Sequence, residues 1–568
     1  MLPRDALSTL RGAGCRLTLA PLPVTPALRR AVTAGGTLKV ALACANEATA
    51  ARLQARLGGV RVGPALQAET SAETLAAAFS EEGGILGADV TYEARFCNNV
   101  ARTERFLGVD TVQGGDAVGL TGAGEVVAVF DSGLSSGIPG YLGQAGAEAF
   151  HPGLRGRVMG ISPQPWEAML RPDDVNRIGD GKDRSGHGTH VTGSVLGDGT
   201  GSEKRRFRGV APGARVFFQS NETADSPMTG GAYVPPLLDP VFEEAYAAGA
   251  RIHSNSWGGA DSITAKSAIY SLSAWSIDRF VWSHRDFLPL FAAGNAGTDN
   301  DADNVGDLGT LISVPAMAKN CLTVGAAETY RPPIGNGYDA DGVPAPVLNS
   351  VYLRTGGAAL RGDALGSAPG DNPDRRGVAV FSCRGPLPDG RVKPDLIAPG
   401  TQIVSARLTD LTHDHALLAD PATEEEQELY IAFDGTSMAT PLAAGSAAVA
   451  RQWCREALGV DDPGQALLRA LLLLGSQSIY PGQFGEEVNR EIPSSAPNGA
   501  EGFGLLSLPR AFAAAHTETF DSGETGFVRD FPVEVTAEGT LRAVLTWVDY
   551  PAQLYAARTL VNDLDLEL

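Results

Sequence analysis

The sequence predicts an α/β fold: a mostly parallel sheet flanked by helices, preceded by a small N-terminal α+β domain and followed by an incomplete C-terminal β domain. Three observations carry this. Glu125-Val-Val-Ala-Val-Phe130 is a short apolar run bounded by glycines, the pattern of a strand buried on both faces of a parallel sheet. Leu442 to Arg451 is Ala-rich and follows a glycine-rich turn, as a buried helix does. Nearer the N-terminus, apolar runs alternate with amphipathic stretches in units that suit a small α+β domain.

In chain order, Arg16-Leu-Thr-Leu-Ala20 and Leu38-Lys-Val-Ala-Leu-Ala-Cys44 are predicted strands. Glu47 to Leu57 and Ala72 to Glu82 are predicted helices, with Leu53, Leu57, Leu75 and Phe79 on the inner faces. Asn98-Asn-Val-Ala-Arg-Thr-Glu104 is polar and short of bulky residues, which suits an exposed, cleavable connection. The 125–130 strand then delivers Asp131 at its carboxyl end, the edge where ligands and catalytic groups of open α/β sheets collect. A turn-forming Asp after a strand has the same appearance.

Ser185-Gly-His187-Gly-Thr-His190 opens a segment of small residues able to pack closely as a helix. His187 and His190 stand three apart, as metal ligands can, yet no third ligand of zinc-site spacing follows and no glutamate lies between them. Gly435-Thr-Ser437-Met-Ala-Thr-Pro441 places a serine where a turn meets a helix, and Pro441 is tolerated in the first turn. A hydroxyl there meets unpaired backbone N–H groups and the positive end of the helix dipole, which together can hold an oxyanion. The plain alternative is a Ser/Thr cap on a core helix. Leu541 to Asp549 and Thr559 to Leu566 are the last predicted strands.

Asp131, His187 and Ser437 supply an orienting carboxylate, a base and a nucleophile. Their order along the chain is that of subtilisin, and the sequence resembles the subtilases, the subtilisin-like serine peptidases. Phe291-Ala-Ala-Gly-Asn295-Ala-Gly297 resembles the family segment whose asparagine donates to the oxyanion. Gly209 to Ala214, Phe381 to Pro386 and Lys393 to Gly400 match further family segments. Ile252 to Gly259 resembles the strand that pairs with bound substrate, which implies Ser254, Ser256, Trp257 and Gly258 as substrate-binding residues.

The Asn-Ser-Trp-Gly variant and the long spacings resemble the oxidatively stable alkaline protease branch, whose members carry a C-terminal β-barrel. The resemblance implies a subtilisin-like catalytic domain over 98–517, a propeptide-like domain over 1–97, and the start of a β-sandwich or barrel over 518–568. It implies a serine endopeptidase made as a zymogen, acting on protein or peptide substrates, with its own N-terminal domain as intramolecular inhibitor. A transpeptidase or macrocyclase using the same acyl-enzyme is the alternative, and a silent binding module the third reading. Met438 adjoins the nucleophile, so its oxidation is expected to lower activity unless packing shields it.

Lys and Arg total 45 against 66 Asp and Glu, a net charge of -21, which disfavours nucleic acid and anionic membrane surfaces as partners. No apolar run is long enough to span a membrane. Met1 to Leu7 lacks the basic-then-apolar pattern of a secretory signal, whereas the resemblance implies export. Secretion is the expectation and a cytoplasmic enzyme the alternative. Cys15, Cys44, Cys97, Cys321, Cys383 and Cys454 are scattered and are expected as buried free thiols, a disulfide being the other reading.

The chemistry requires no cofactor, but structural calcium is an open expectation at two acidic clusters. Asp299, Asp301 and Asp303 resemble the start of a calcium loop, although Asn304 replaces the turn glycine and Thr310 the terminal glutamate, and a solvated acidic loop is the plainer reading. Asp549, Asn562, Asp563 and Asp565 form the second cluster, which the resemblance implies because the family's barrels can bind calcium.

Overall fold

The computed structural model describes residues 37–44, 46–58, 60–62, 65–81, 85–90, 101–102, 106–114, 119–135, 150–164, 181–221, 237–258, 270–297, 307–309, 312–329, 337–338, 344–345, 376–408, 423–482, 491–513, 516–520, 528–532, 541–554 and 556–567. The predicted strand at Arg16–Ala20 and the acidic run Asp299, Asp301, Asp303 lie outside them. The chain divides into two compact units, Met1–Ala94 and Arg95–Leu568.

In the first unit, β1 (Thr37–Cys44), α1 (Glu47–Leu57), β2 (Val60–Val62), β3 (Ala65–Ser71), α2 (Ala72–Glu81) and β4 (Ile85–Val90) follow one another. The strands form an antiparallel sheet in the order β2-β3-β1-β4. α1 begins where Asn46 Oδ1 accepts from Thr49 N at 2.9 Å, satisfying one orphan donor of the helix start. Ala50 and Leu53 of α1, Leu75 and Ala78 of α2, and Leu66 and Ala68 of β3 are buried. A one-sided apolar stripe on each helix is thus matched by alternate residues of a strand.

The second unit is built on seven parallel strands. These are β5 (Val126–Asp131), β6 (Val158–Pro163), β7 (Arg215–Ser220), β8 (Ile252–Asn255), β9 (Leu288–Ala292), β10 (Leu322–Ala327) and β11 (Leu396–Pro399). Their order across the sheet is β11-β10-β9-β8-β5-β7-β6, every neighbouring pair parallel. All six residues of β5 are buried, as the uninterrupted apolar run requires. A two-stranded antiparallel ribbon follows, β12 (Ile403–Ala406) with β13 (Tyr430–Phe433).

Helices α3 (His187–Leu196), α4 (Asp239–Ala247), α5 (Leu272–Ser283), α6 (Thr436–Leu458) and α7 (Gln465–Gly475) flank the sheet. Helix α6 is buried along most of its length, and Ala439, Ala443, Ala444, Ala447 and Ala448 are fully so. Small side chains let it approach α3 and strands β8 to β11 closely, which brings its N-terminus to the carboxyl edge of the sheet.

The two predicted C-terminal strands are not formed: the described residues of 541–567 carry no strand. The segment is held by side chains instead of a backbone ladder. Arg542 donates to the Ser476 carbonyl at 3.0 Å and Thr546 Oγ1 to the Ala466 carbonyl at 2.6 Å. Asn320 exchanges hydrogen bonds with the backbone of Asp549 in both directions, each at 2.8 Å. An apolar run reports a half-buried extended chain, and here the partners are helix α7, its C-terminal cap and the loop at Asn320 rather than another strand.

Candidate active site

Asp131 ends β5, the strand between β8 and β7, and its side chain is almost fully buried. Its Oδ1 accepts from the Ser132 backbone N at 2.8 Å and lies 2.6 Å from His187 Nδ1. His187 opens α3, which reaches Asp131 only because residue 188 is glycine. A Cβ there would overlap the Gly133 carbonyl oxygen in the turn that follows β5. The helix start and the strand end are therefore in direct backbone contact.

Ser437 is the second residue of α6. Its Oγ donates to the Ser256 carbonyl at 2.8 Å, and Ser256 Oγ donates to the Ser437 carbonyl at 2.8 Å. Around it, the first N–H groups of the helix are distributed unevenly. Thr436 N donates to Asn295 Oδ1 at 2.8 Å and Met438 N to the Gly435 carbonyl at 3.0 Å. Ser437 N has no acceptor among the described residues.

Asn295 follows β9 on an exposed turn, and its Oδ1 also accepts from Thr436 Oγ1 at 2.8 Å. Two bonds to that oxygen fix the amide orientation and leave Nδ2 as a donor without a partner among the described residues. A Cβ built on Gly435 would lie 3.4 Å from Asn295 Nδ2 and 3.5 Å from Ser437 N. The two unused donors thus face one small space beside the Ser437 hydroxyl, a geometry able to hold a developing oxyanion.

The substrate-strand candidates separate into two groups. Ser254 lies inside β8, in register with Val129 on one side and Leu290 on the other. Its backbone is committed to the sheet and its side chain is buried, so the structure does not bring it to a cleft. Ser256, Trp257 and Gly258 continue past the end of β8, where no ladder is formed. Trp257 is only 6% exposed, and its Nε1 donates to the Phe130 carbonyl at 2.9 Å. Edge-to-face contacts with Phe130 and Phe291, at 5.3 and 5.6 Å between centroids, complete its packing. The indole belongs to the core and pins 256–258 beside the end of β5.

Metal ligation finds no constellation: among the described residues no group of three His, Cys, Asp or Glu converges. His190 Nε2 bonds the Ile403 and Ile431 carbonyls at 2.9 and 3.2 Å, and its ring stacks on Phe433. Asp549 accepts from Lys319 Nζ at 2.6 Å, from Val561 N at 2.9 Å and from Asn562 N at 2.8 Å, while Asp563 and Asp565 are exposed. A carboxylate so fully engaged by an ammonium and two amides is not arranged for calcium. Cys321, Cys383 and Cys454 are buried thiols that form no disulfide, and Met438 is buried beside Ser437.

Three residues of this region were not singled out from sequence: Thr436, which orients Asn295, and Asp183 and Ser132, which lie behind the Asp131–His187 pair. The signal for Asp183 was an acidic side chain shortly ahead of a helix start, the usual place for an anion that meets orphan N–H groups.

Residues 122–501 match the pattern that defines the Subtilase family. The serine protease/ABC transporter B family protein tagD of Dictyostelium discoideum is 30% identical over 381 residues, 57% of this chain and 20% of that protein. Serine protease AprX of Bacillus subtilis is 26% identical over 339 residues, 59% of this chain and 58% of its own length. The chain therefore spans about a fifth of the Dictyostelium relative and somewhat over half of the Bacillus one. Among solved structures, fervidolysin from Fervidobacterium pennivorans aligns with a TM-score of 0.44 and 19% identity, covering 84% of this chain and 61% of that one.

Proposed function

The chain belongs to the subtilase family, and on that premise we propose that it is a serine endopeptidase working through Asp131, His187 and Ser437. The observation that carries this is the convergence of two unused donors, Ser437 N and Asn295 Nδ2, beside a serine hydroxyl at a helix N-terminus. In the proposed cycle the Ser437 hydrogen leaves the Ser256 carbonyl for His187, and Oγ attacks the peptide carbonyl. Asp131 holds the imidazole through Nδ1 and offsets the charge it gains. The tetrahedral oxygen is stabilised by Ser437 N and Asn295 Nδ2, and His187 then returns the proton to the leaving amine. Ser256 to Gly258 would offer backbone groups to an extended substrate, since they continue a sheet edge without a ladder of their own.

The N-terminal unit is proposed as a propeptide that occupies the cleft until it is cut. Its support is that residues up to Ala94 form a separate compact unit with its own small core. The Asn-Ser-Trp-Gly segment remains the ground for placing the enzyme in the oxidatively stable alkaline protease branch.

A fluorophosphonate should label the wild type and not Ser437→Ala. Labelling of neither form, in samples whose mass shows the N-terminal unit removed, would sink the nucleophile assignment. Product masses then separate the two acyl-transfer readings, because hydrolysis adds water across the broken bond and transpeptidation does not. In the same samples, loss of a fragment ending near 98–104 from the wild type alone would support self-maturation.

A further inference from the structure

Asp183 lies four residues before His187, and no part of the chemistry above uses it. Its side chain is fully buried. Oδ1 accepts from Ser132 Oγ at 2.9 Å, Gly186 N at 2.8 Å, Ser185 N at 3.2 Å and Ser185 Oγ at 3.3 Å. Oδ2 accepts from Thr189 N at 2.8 Å and Thr189 Oγ1 at 2.6 Å. Six donors on one buried carboxyl group exceed what a helix cap needs.

Their distribution is informative. Ser132 directly follows Asp131, whereas Ser185, Gly186 and Thr189 bracket His187. Ser132 Oγ, while donating to Asp183, accepts from Gly188 N at 2.9 Å. Thr189 Oγ1, while donating to Asp183, accepts from Ser135 N at 2.8 Å. Each hydroxyl therefore carries a relay from Asp183 to the opposite segment. The turn after β5 and the start of α3, more than fifty residues apart in sequence, meet through these two bonds, and Asp183 holds both hydroxyls that make them.

We propose that Asp183 is a positioning residue for the Asp131–His187 pair, setting the strand end and the helix start at the separation their 2.6 Å contact requires. The proposal rests on the reading of these two residues as members of the catalytic set. Burial, with a further push from the Asp131 carboxylate, holds the Asp183 carboxyl above the ordinary carboxylate range, and the bonds from Thr189 and Ser132 oppose this. The three backbone N–H groups among its partners can only donate, so the anion is the form they suit.

Replacing the carboxylate by an amide keeps its volume and sets an NH2 against donors. At least one relay then opens, and the imidazole is displaced relative to Asp131. A displacement of this kind acts on the chemical step, while substrate binding along 256–258 is untouched.

The test begins with fluorophosphonate labelling of wild type and Ser437→Ala. Absence of labelling in a wild type whose mass shows the N-terminal unit removed defeats the catalytic reading itself, whatever Asp183 does. With labelling established, kcat and KM are measured on one peptide substrate for Asp183→Asn, Ser132→Ala and the double variant. Asp183→Asn should lower kcat about 10- to 100-fold with KM held within about twofold, since misplacement of a catalytic group acts on turnover. Ser132→Ala should lower kcat less, and the double variant should lose less than the product of the two single effects, because part of the Ser132 effect passes through Asp183. A folded Asp183→Asn with wild-type kcat overturns the proposal, and so does fully additive loss in the double variant. If Asp183→Asn fails to fold, Ser132→Ala decides alone, unchanged kcat counting against the relay.

Discussion

Gly435 shows how a single hydrogen atom in place of a side chain shapes this site. Its φ of 150° and ψ of 159° fall where only glycine is at ease, so alanine there would cost about 1–3 kcal/mol in backbone strain. The added methyl would also stand 3.4 Å from Asn295 Nδ2 and 3.5 Å from Ser437 N, in the space the substrate oxygen is proposed to enter. Strain and obstruction have different readouts. Gly435→Ala should still fold with a lowered melting temperature, and its kcat should fall by about 10²-fold or more, the scale for losing one oxyanion donor. Thermal unfolding and steady-state kinetics on the same preparation check both. A variant that loses stability yet keeps its turnover would show that the two donors do not serve the reaction.

At the level of elements, one buried ion pair is among the anchors of the C-terminal segment. Lys319 Nζ and Asp549 Oδ2 are 2.6 Å apart, both nearly inaccessible, and Asp549 also accepts the amides of Val561 and Asn562. Asp549→Ala leaves a buried ammonium without its anion and orphans two N–H groups, a loss of about 3–5 kcal/mol. Lys319→Met combined with Asp549→Ala should recover part of it, because the unpaired ammonium is gone, while the buried Asp278 carboxyl loses the nearby positive charge. Thermal melts of the three proteins measure this, and equal stability of Asp549→Ala and wild type would refute it. The same segment marks where the sequence stops being legible. Helix α1 could be read to its ends, since Glu47–Leu57 carries its own apolar stripe and its own cap at Asn46. Strand β5 announced itself by an unbroken apolar run. The pattern at Leu541–Asp549 looked equally strand-like, but its fate was decided by Lys319 and Asn320, over two hundred residues away. Ser254 and Ser256 differ by one step of a ladder, and only the register of β8 with β5 and β9 separates them. Local signals set the elements and the reacting residues; tertiary contacts set which neighbours serve them.

At the scale of the whole molecule, three histidines buried among the described residues tie stability to pH. His151, His190 and His253 are held by burial at about 4, about 3 and about 3, below the ordinary histidine value of 6.5. The geometry agrees. Nδ1 of His190 and of His253 is buried with no partner, so a proton there would enter an apolar surrounding. His151 Nδ1 accepts from Gly153 N at 3.1 Å and would lose that bond on protonation. Above pH 6.5 folded and unfolded chains are both neutral at these rings, and stability is complete. As pH falls from 6.5, the unfolded chain takes up protons that the folded chain refuses, so stability declines down to the folded values. For each ring the loss by pH 4 is about 3 kcal/mol. Asp183 and Asp278, raised by burial, work in the opposite sense, because the folded chain protonates them first. A single ring is therefore isolated by His151→Gln, in which an amide takes the place of the imidazole and cannot titrate. Melting temperatures of Ser437→Ala, with and without His151→Gln, should differ in slope between pH 6.5 and 4, the glutamine form falling less steeply. Parallel curves would mean that His151 takes its proton in the folded chain, and that burial alone does not govern these rings.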